Sequence, residues 1–128
     1  MNTNYKIALA VVAGAALGAA AMQGLHAQAK LKAYSIAEVE TLDASGQAAY
    51  LPGVRKEIEA AHGHSLRTLG GQVFSLEGSP PPPHAALVEW DSVDDAVAFY
   101  KSKAWIDLVP QRDKAQKTIR RYVVEVEK

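Results

Sequence analysis

The run KAYSIAEVET, Lys32 to Thr41, alternates: Tyr34, Ile36, Glu38 and Glu40 fall on one side, Ala33, Ser35, Ala37 and Val39 on the other. Period two predicts a half-buried strand. Small Ala33 and Ala37 with Val39 suit the face on which helices sit close, which assigns the Tyr34 set to a helix-free face. Asp43-Ala44-Ser45-Gly46 is turn chemistry. Leu51, Val54, Ile58 and Ala61 then recur at spacings of three and four, one apolar helical stripe. Pro52 suits the first turn of its regular part, and Gly63 is placed to stop it.

Beyond that helix, residues 64–69 predict a second strand, kinked or bulged at Gly70-Gly71 and continued over residues 72–77. Ser79 and four prolines form a stiff surface connector. Residues 85–90 predict a third strand. Ser92-x-x-Asp95 resembles a capping box, followed by the stripe Val93, Ala96, Val97 and Tyr100. A further helical piece carries Trp105, Leu108 and Val109, kinked or restarted by Pro110, and residues 118–127 form the last strand. The order β-α-β-β-α-β predicts an α+β fold: a ferredoxin-like split antiparallel sheet with helices on one face. No repeat or linker divides it.

The N-terminus follows a different pattern. Ile7 to Met22 is continuously apolar, rich in Ala and Gly, and spans only about 24 Å as a helix, short of a bilayer core of about 30 Å. Ala27-Gln28-Ala29 fits small-x-small cleavage. Residues 1–29 are therefore assigned as a signal peptide and residues 30–128 as a single domain, periplasmic or secreted, with no membrane attachment after cleavage. An uncleaved anchor is the alternative.

Charge and motifs narrow the chemistry. The 14 basic and 14 acidic side chains balance, which argues against nucleic-acid and anionic-membrane surfaces. With no cysteine there is no disulfide and no thiolate chemistry. Phosphate-loop, dinucleotide, zincin and serine-hydrolase signatures are missing from the sequence. RNA-recognition domains share the strand order, but HAALVEW lacks their basic, aromatic character. His62, His64 and His84 are read as turn residues rather than metal or haem ligands, and neither a metal nor a cofactor is expected. Trp90, Phe99, Tyr100 and Trp105 are read as core, with Tyr100 or Trp105 edging a pocket.

Several stretches together resemble a known family. They are Ala33-Tyr34-Ser35-Ile36-Ala37-Glu38-Val39, Gly70-Gly71 with Leu76-Glu77-Gly78, Val88-Glu89-Trp90-Asp91-Ser92 leading to Ala96, and Phe99-Tyr100-Lys101-Ser102 ahead of Trp105 and Arg112. In this order and spacing they resemble the bacterial domain of unknown function 1330 family. The resemblance implies a dimeric α/β barrel in which two such sheets pack face to face. Barrels of that kind include monooxygenases, muconolactone-isomerase-like enzymes and haem proteins, so the fold does not fix a reaction.

Candidate site residues follow from the face assignment. Tyr34, Ile36, Leu87 and Val123 together would expose an apolar patch, which points to a homodimer formed by the helix-free faces. Glu38 and Glu89 are expected to converge inside the barrel with Arg121 as their cation and Tyr34 donating to the same cluster. Such a carboxylate is a candidate general base, with Arg121 holding an anionic substrate. The alternatives are a structural ion pair across the dimer and a face assignment inverted by the strand bulge. The function expected is an exported small-molecule-binding barrel without a catalytic motif. One alternative is a cofactor-free enzyme, doing monooxygenase- or isomerase-like proton transfer on a small organic acid, lactone or phenol. The other is a structural or stress-related protein without ligand. Intact-mass measurement of protein from its host should give a chain beginning at Lys30; a mass beginning at Met1 would refute cleavage.

Overall fold

β1 (Lys32–Thr41) has the predicted alternation: Ala33, Ser35, Ala37 and Val39 are buried, while Tyr34, Ile36 and Glu38 are half-buried. The structure, a computed structural model, describes residues 30–67 and 72–127. The signal peptide expected over residues 1–29 and the kink expected at Gly70-Gly71 lie outside the described residues. No helix among those described is long and apolar enough to cross a membrane.

α1 (Ala44–Ala60) begins earlier than its stripe implied. Asp43 is its N-cap, accepting from the backbone N–H of Ser45 at 3.1 Å and of Gly46 at 3.0 Å. Asp43-Ala44-Ser45-Gly46 is thus a cap and first turn, and Pro52 lies in the helix interior. Its missing N–H falls opposite Ala48, which is exposed, so water can satisfy that carbonyl. At the far end, His62 N–H donates to Glu59 O at 3.0 Å and Gly63 N–H to Ile58 O at 2.9 Å. This pair of bonds is a Schellman ending. The left-handed residue it needs is His62 (φ 63), not Gly63.

β2 (His64–Leu66) is short, and Gln72 adds one isolated bridge to His84. Residues 73–77 are not strand: Phe74 and Leu76 are 80% and 96% exposed and find no partner there. β3 (His84–Trp90) leads into α2 (Val93–Lys101), where the Ser92 hydroxyl accepts from Asp95 N–H at 3.2 Å, as the capping pattern predicted. Ser102 caps α3 (Lys103–Ala115) in the same way, and α3 continues through Pro110. β4 (Gln116–Val126) completes a four-stranded antiparallel sheet of order β2-β3-β1-β4. The fold is the expected α+β arrangement with its helices on one face. The sheet stays open rather than closing into a barrel.

Where β4 pairs with β1 it carries a bulge. Glu38 faces Arg120 but Val39 faces Thr118, so Ile119 has no partner. The bulge shifts the alternation by one: Arg121 and Thr118 both face the helices, while Ile119 and Arg120 both face away.

Trp90, 1% exposed, anchors the core between sheet and helices. Its ring packs on Phe99 at 5.2 Å between centroids and on Tyr100 at 6.0 Å. Its indole N–H donates to the buried Ser35 hydroxyl at 3.0 Å. A Cβ on Gly63 would lie 2.7 Å from the Trp90 ring and 2.8 Å from Ile58. Gly63 is therefore required by close approach rather than by helix termination. Gly63→Ala should cost about 1–3 kcal/mol in urea unfolding, whereas His62→Gly should stabilise by roughly 0.5–1 kcal/mol by relieving the left-handed residue.

Candidate functional site

Between the sheet and α1 lies a cavity of about 490 Å³. Its apolar wall comes from Val39 and Val88 on the sheet and from Val54 and Ile58 on α1. Tyr50, Tyr100 and Trp105 add aromatic surface, and Gln47, Gln116 and Arg121 give it a polar end. Gln47 and Gln116 are joined, Nε2 to Oε1, at 3.1 Å, and Thr41 donates to Gln47 at 3.0 Å. The buried stripe of α1 runs through Gln47, Tyr50, Val54 and Ile58, while Leu51, which began the predicted stripe, borders the cavity but is 37% exposed. Two polar residues on an otherwise apolar helical face were the signal in sequence that this face borders a cavity.

Arg121 is the most deeply buried arginine of the lining, which Arg55 and Arg67 join from its exposed side. Its guanidinium carbon lies 4.6 Å from the Trp105 ring centroid and 5.2 Å from that of Tyr100. Nε is buried and has no hydrogen-bond partner among the described residues, and no carboxylate there forms an ion pair with this side chain. Burial lowers the guanidinium below its ordinary value, and Arg112 pushes the same way, yet an arginine stays charged. The aromatic faces return part of the lost hydration, about 0.5–2 kcal/mol for such contacts. Tyr50, pushed up to about 12 chiefly by burial, is a neutral hydrogen-bond donor at physiological pH.

The cluster expected from sequence does not form. Ala37 pairs with Arg121, which puts Arg121 on the helix face, while Glu38 and Glu89 are on the helix-free face. The two carboxylates also stand apart: Glu89 pairs with Tyr34, four residues from Glu38 and so ~13 Å along the strand. Each has its own partner. Arg120 Nε and Nη2 both reach Glu38 Oε1 at 2.7 Å. Lys32 Nζ lies 3.0 Å from Glu89 Oε1, and the Tyr34 hydroxyl donates to Glu89 Oε2 at 3.0 Å. These bonds, that from Lys32 first, hold the Glu89 carboxyl below its ordinary value. Tyr34 and Glu89 are thus brought together as anticipated, and Arg121 is the sequence-derived residue that reaches the cavity. Val123 likewise packs against the core instead of joining the exposed patch. His62 and His64 are exposed as expected, whereas His84 lines the cavity. Among the described residues no group of His, Asp and Glu is arranged to hold a metal.

The chain belongs to the DUF1330 family, a domain of unknown function, whose model matches residues 32–126. Among solved structures it is similar to a protein of unknown function from Rhodopseudomonas palustris. That match has a TM-score of 0.55 and 16% identity, and covers 76% of this chain and 82% of that one. It is also similar to SnoaB, a cofactor-independent oxygenase from Streptomyces nogalater, with a TM-score of 0.51 and 6% identity over 77% of this chain and 95% of that one. At these identities the likeness shows a shared fold. No curated protein matches the chain.

A guanidinium held without a counter-charge should cost stability in the empty protein. Arg121→Met keeps the packing stem and removes the unsatisfied Nε donor, so it should raise the urea-unfolding free energy by ~1 kcal/mol. A loss of that size would instead make Arg121 a structural part of the aromatic cluster.

Proposed function

We propose that this domain binds a small organic anion in the cavity between sheet and α1, with the anionic group on Arg121 and the apolar part against Val39, Val54 and Val88. The observation that carries this reading is the buried Arg121 guanidinium, stacked on Tyr100 and Trp105, with its Nε unpaired among the described residues of a pocket whose exposed side also carries Arg55 and Arg67. An anion would supply the missing counter-charge through a planar, two-pronged contact. The volume lies in the usual range for small-molecule sites, roughly 300–1,000 Å³, which supports binding over a purely structural role.

Turnover is the second reading, favoured by one residue. Among the described lining residues there is no Asp or Glu, but His84 is present, and an imidazole is a candidate general base or acid. A cofactor-free oxygenase or isomerase reaction, of the kind the likeness to SnoaB brings to mind, would depend on His84. Binding itself needs only shape and Arg121.

The domain is read as an exported homodimer joined through the helix-free faces. Tyr122, Val124 and Val126 on β4 are about 40% exposed, and Tyr34, Ile36 and Leu87 on the central strands share their face. A second copy covering this area in a two-fold interface would bury about 1,600 Å² in total.

Two measurements test these readings. Tryptophan fluorescence should report phenylacetate binding through Trp105; the uncharged phenylacetamide should bind at least about tenfold more weakly, and Arg121→Met should remove the difference. Equal binding of acid and amide by the unsubstituted protein would refute the anion reading. Light scattering should give the mass of a dimer at micromolar concentration, with Val124→Glu shifting it to monomer while the circular dichroism is kept. A monomer without the substitution would refute the interface.

A further inference from the structure

Tyr100 occupies a position that anion binding alone does not explain. Its ring carries Arg121 on its face, it lines the cavity, and its hydroxyl is 2.8 Å from the Ser35 hydroxyl. Ser35 in turn receives the Trp90 indole N–H at 3.0 Å. An indole nitrogen only donates, so the direction of that first bond is fixed: Ser35 Oγ accepts. Ser35 is 1% exposed and makes no other side-chain hydrogen bond among the described residues.

Two proton arrangements are then available. If Tyr100 donates to Ser35, the serine proton is left in the core without an acceptor, at a cost of about 1–3 kcal/mol. If Ser35 donates to Tyr100, the buried indole and serine donors are both paired and the phenolic proton is released toward the cavity. The second arrangement wins on that difference alone.

We propose that Trp90, Ser35 and Tyr100 form a one-way hydrogen-bond chain that presents the Tyr100 hydroxyl to the cavity as a fixed donor, beside the Arg121 cation. This inference rests on the anion reading and sharpens it. The ligand class is a carboxylate carrying a second acceptor oxygen on the adjoining carbon, as in a 2-oxo acid, with an apolar or aromatic remainder. Arg121 takes the carboxylate and Tyr100 the second oxygen. Tyr100 is the residue that determines specificity, and Ser35 acts through it as a positioning residue. No bond is made or broken.

Phenylglyoxylate and phenylacetate differ at one carbon, C=O against CH₂, and separate this inference from the one beneath it. The unsubstituted protein should bind phenylglyoxylate about three- to tenfold more tightly. Tyr100→Phe, which keeps the ring under Arg121, should abolish that preference by lowering phenylglyoxylate affinity about three- to tenfold relative to phenylacetate. Ser35→Ala should reduce the preference as well, because the freed phenol no longer holds one direction. A merely structural role for either residue would weaken both ligands together. Equal affinity for the two acids, or a Tyr100→Phe variant that loses both alike, overturns the chain while Arg121-dependent acid binding stands. Failure of phenylacetate to outbind phenylacetamide overturns the anion reading and this inference with it. If Ser35→Ala cannot fold because the indole N–H loses its acceptor, Tyr100→Phe alone decides.

Discussion

The buried bond from Trp90 to Ser35 is the constraint around which this fold is arranged. A tryptophan brings more apolar surface to a core than any other side chain, but its N–H must find an acceptor there. Ser35 supplies one from the middle of β1, between Ala33 and Ala37, where a larger residue would hold the helices away. Gly63 leaves room for the far edge of the ring, and Phe99, tilted, and Tyr100, edge-on, pack against it. One side chain thereby fixes β3 against β1, the end of α1 against the sheet, and the approach of α2.

The cavity is what this packing leaves unfilled. Trp90 holds one end of the sheet–helix layer together, and toward the other end the sheet offers small or short side chains, Ala37, Ala86 and Val39, beneath α1. The bulge at Ile119 then decides what enters the space. In strict alternation with Arg121 the inward positions would continue to Ile119 and Lys117, and Gln116 would face away. The extra residue turns Thr118 and Gln116 inward instead and leaves Ile119 and Arg120 outside. A polar end for an apolar pocket is thus produced by one unpaired residue in an edge strand. Such devices appear where a strand must re-aim its side chains for a purpose other than stability.

The opposite face has a different electrostatic character. Two of its carboxylates are paired, Glu38 with Arg120 and Glu89 with Lys32 and Tyr34, in exposed or half-exposed settings where such pairs add little to stability. What they do is neutralise those two positions on a face whose other members include Ile36, Leu87, Tyr122 and Val124. A face with these carboxylates neutralised is suited to burial against a like surface, because neither need be stripped of water without its partner already in place.

Local pattern determined the elements. Period two gave β1 its correct limits, Ser92 capped α2 as its spacing predicted, and the order of strands and helices followed from those assignments. Both faces of β1 were legible because Ala and Ser alternate there with larger residues. On β4 they were not, since Arg121, Val123 and Glu125 look no more buried than Tyr122, Val124 and Val126. Register between strands far apart in sequence is set by packing, and a one-residue bulge reverses faces without changing composition. So the sequence marked Arg121 as a ligand-holding cation and set it beside Glu38 and Glu89, whereas pairing with Ala37 carried it to the opposite side, onto Tyr100 and Trp105. The identity of a residue and its period along the chain are local properties. Which side of a sheet it serves, and which partners it is denied, are decided only when the strands meet.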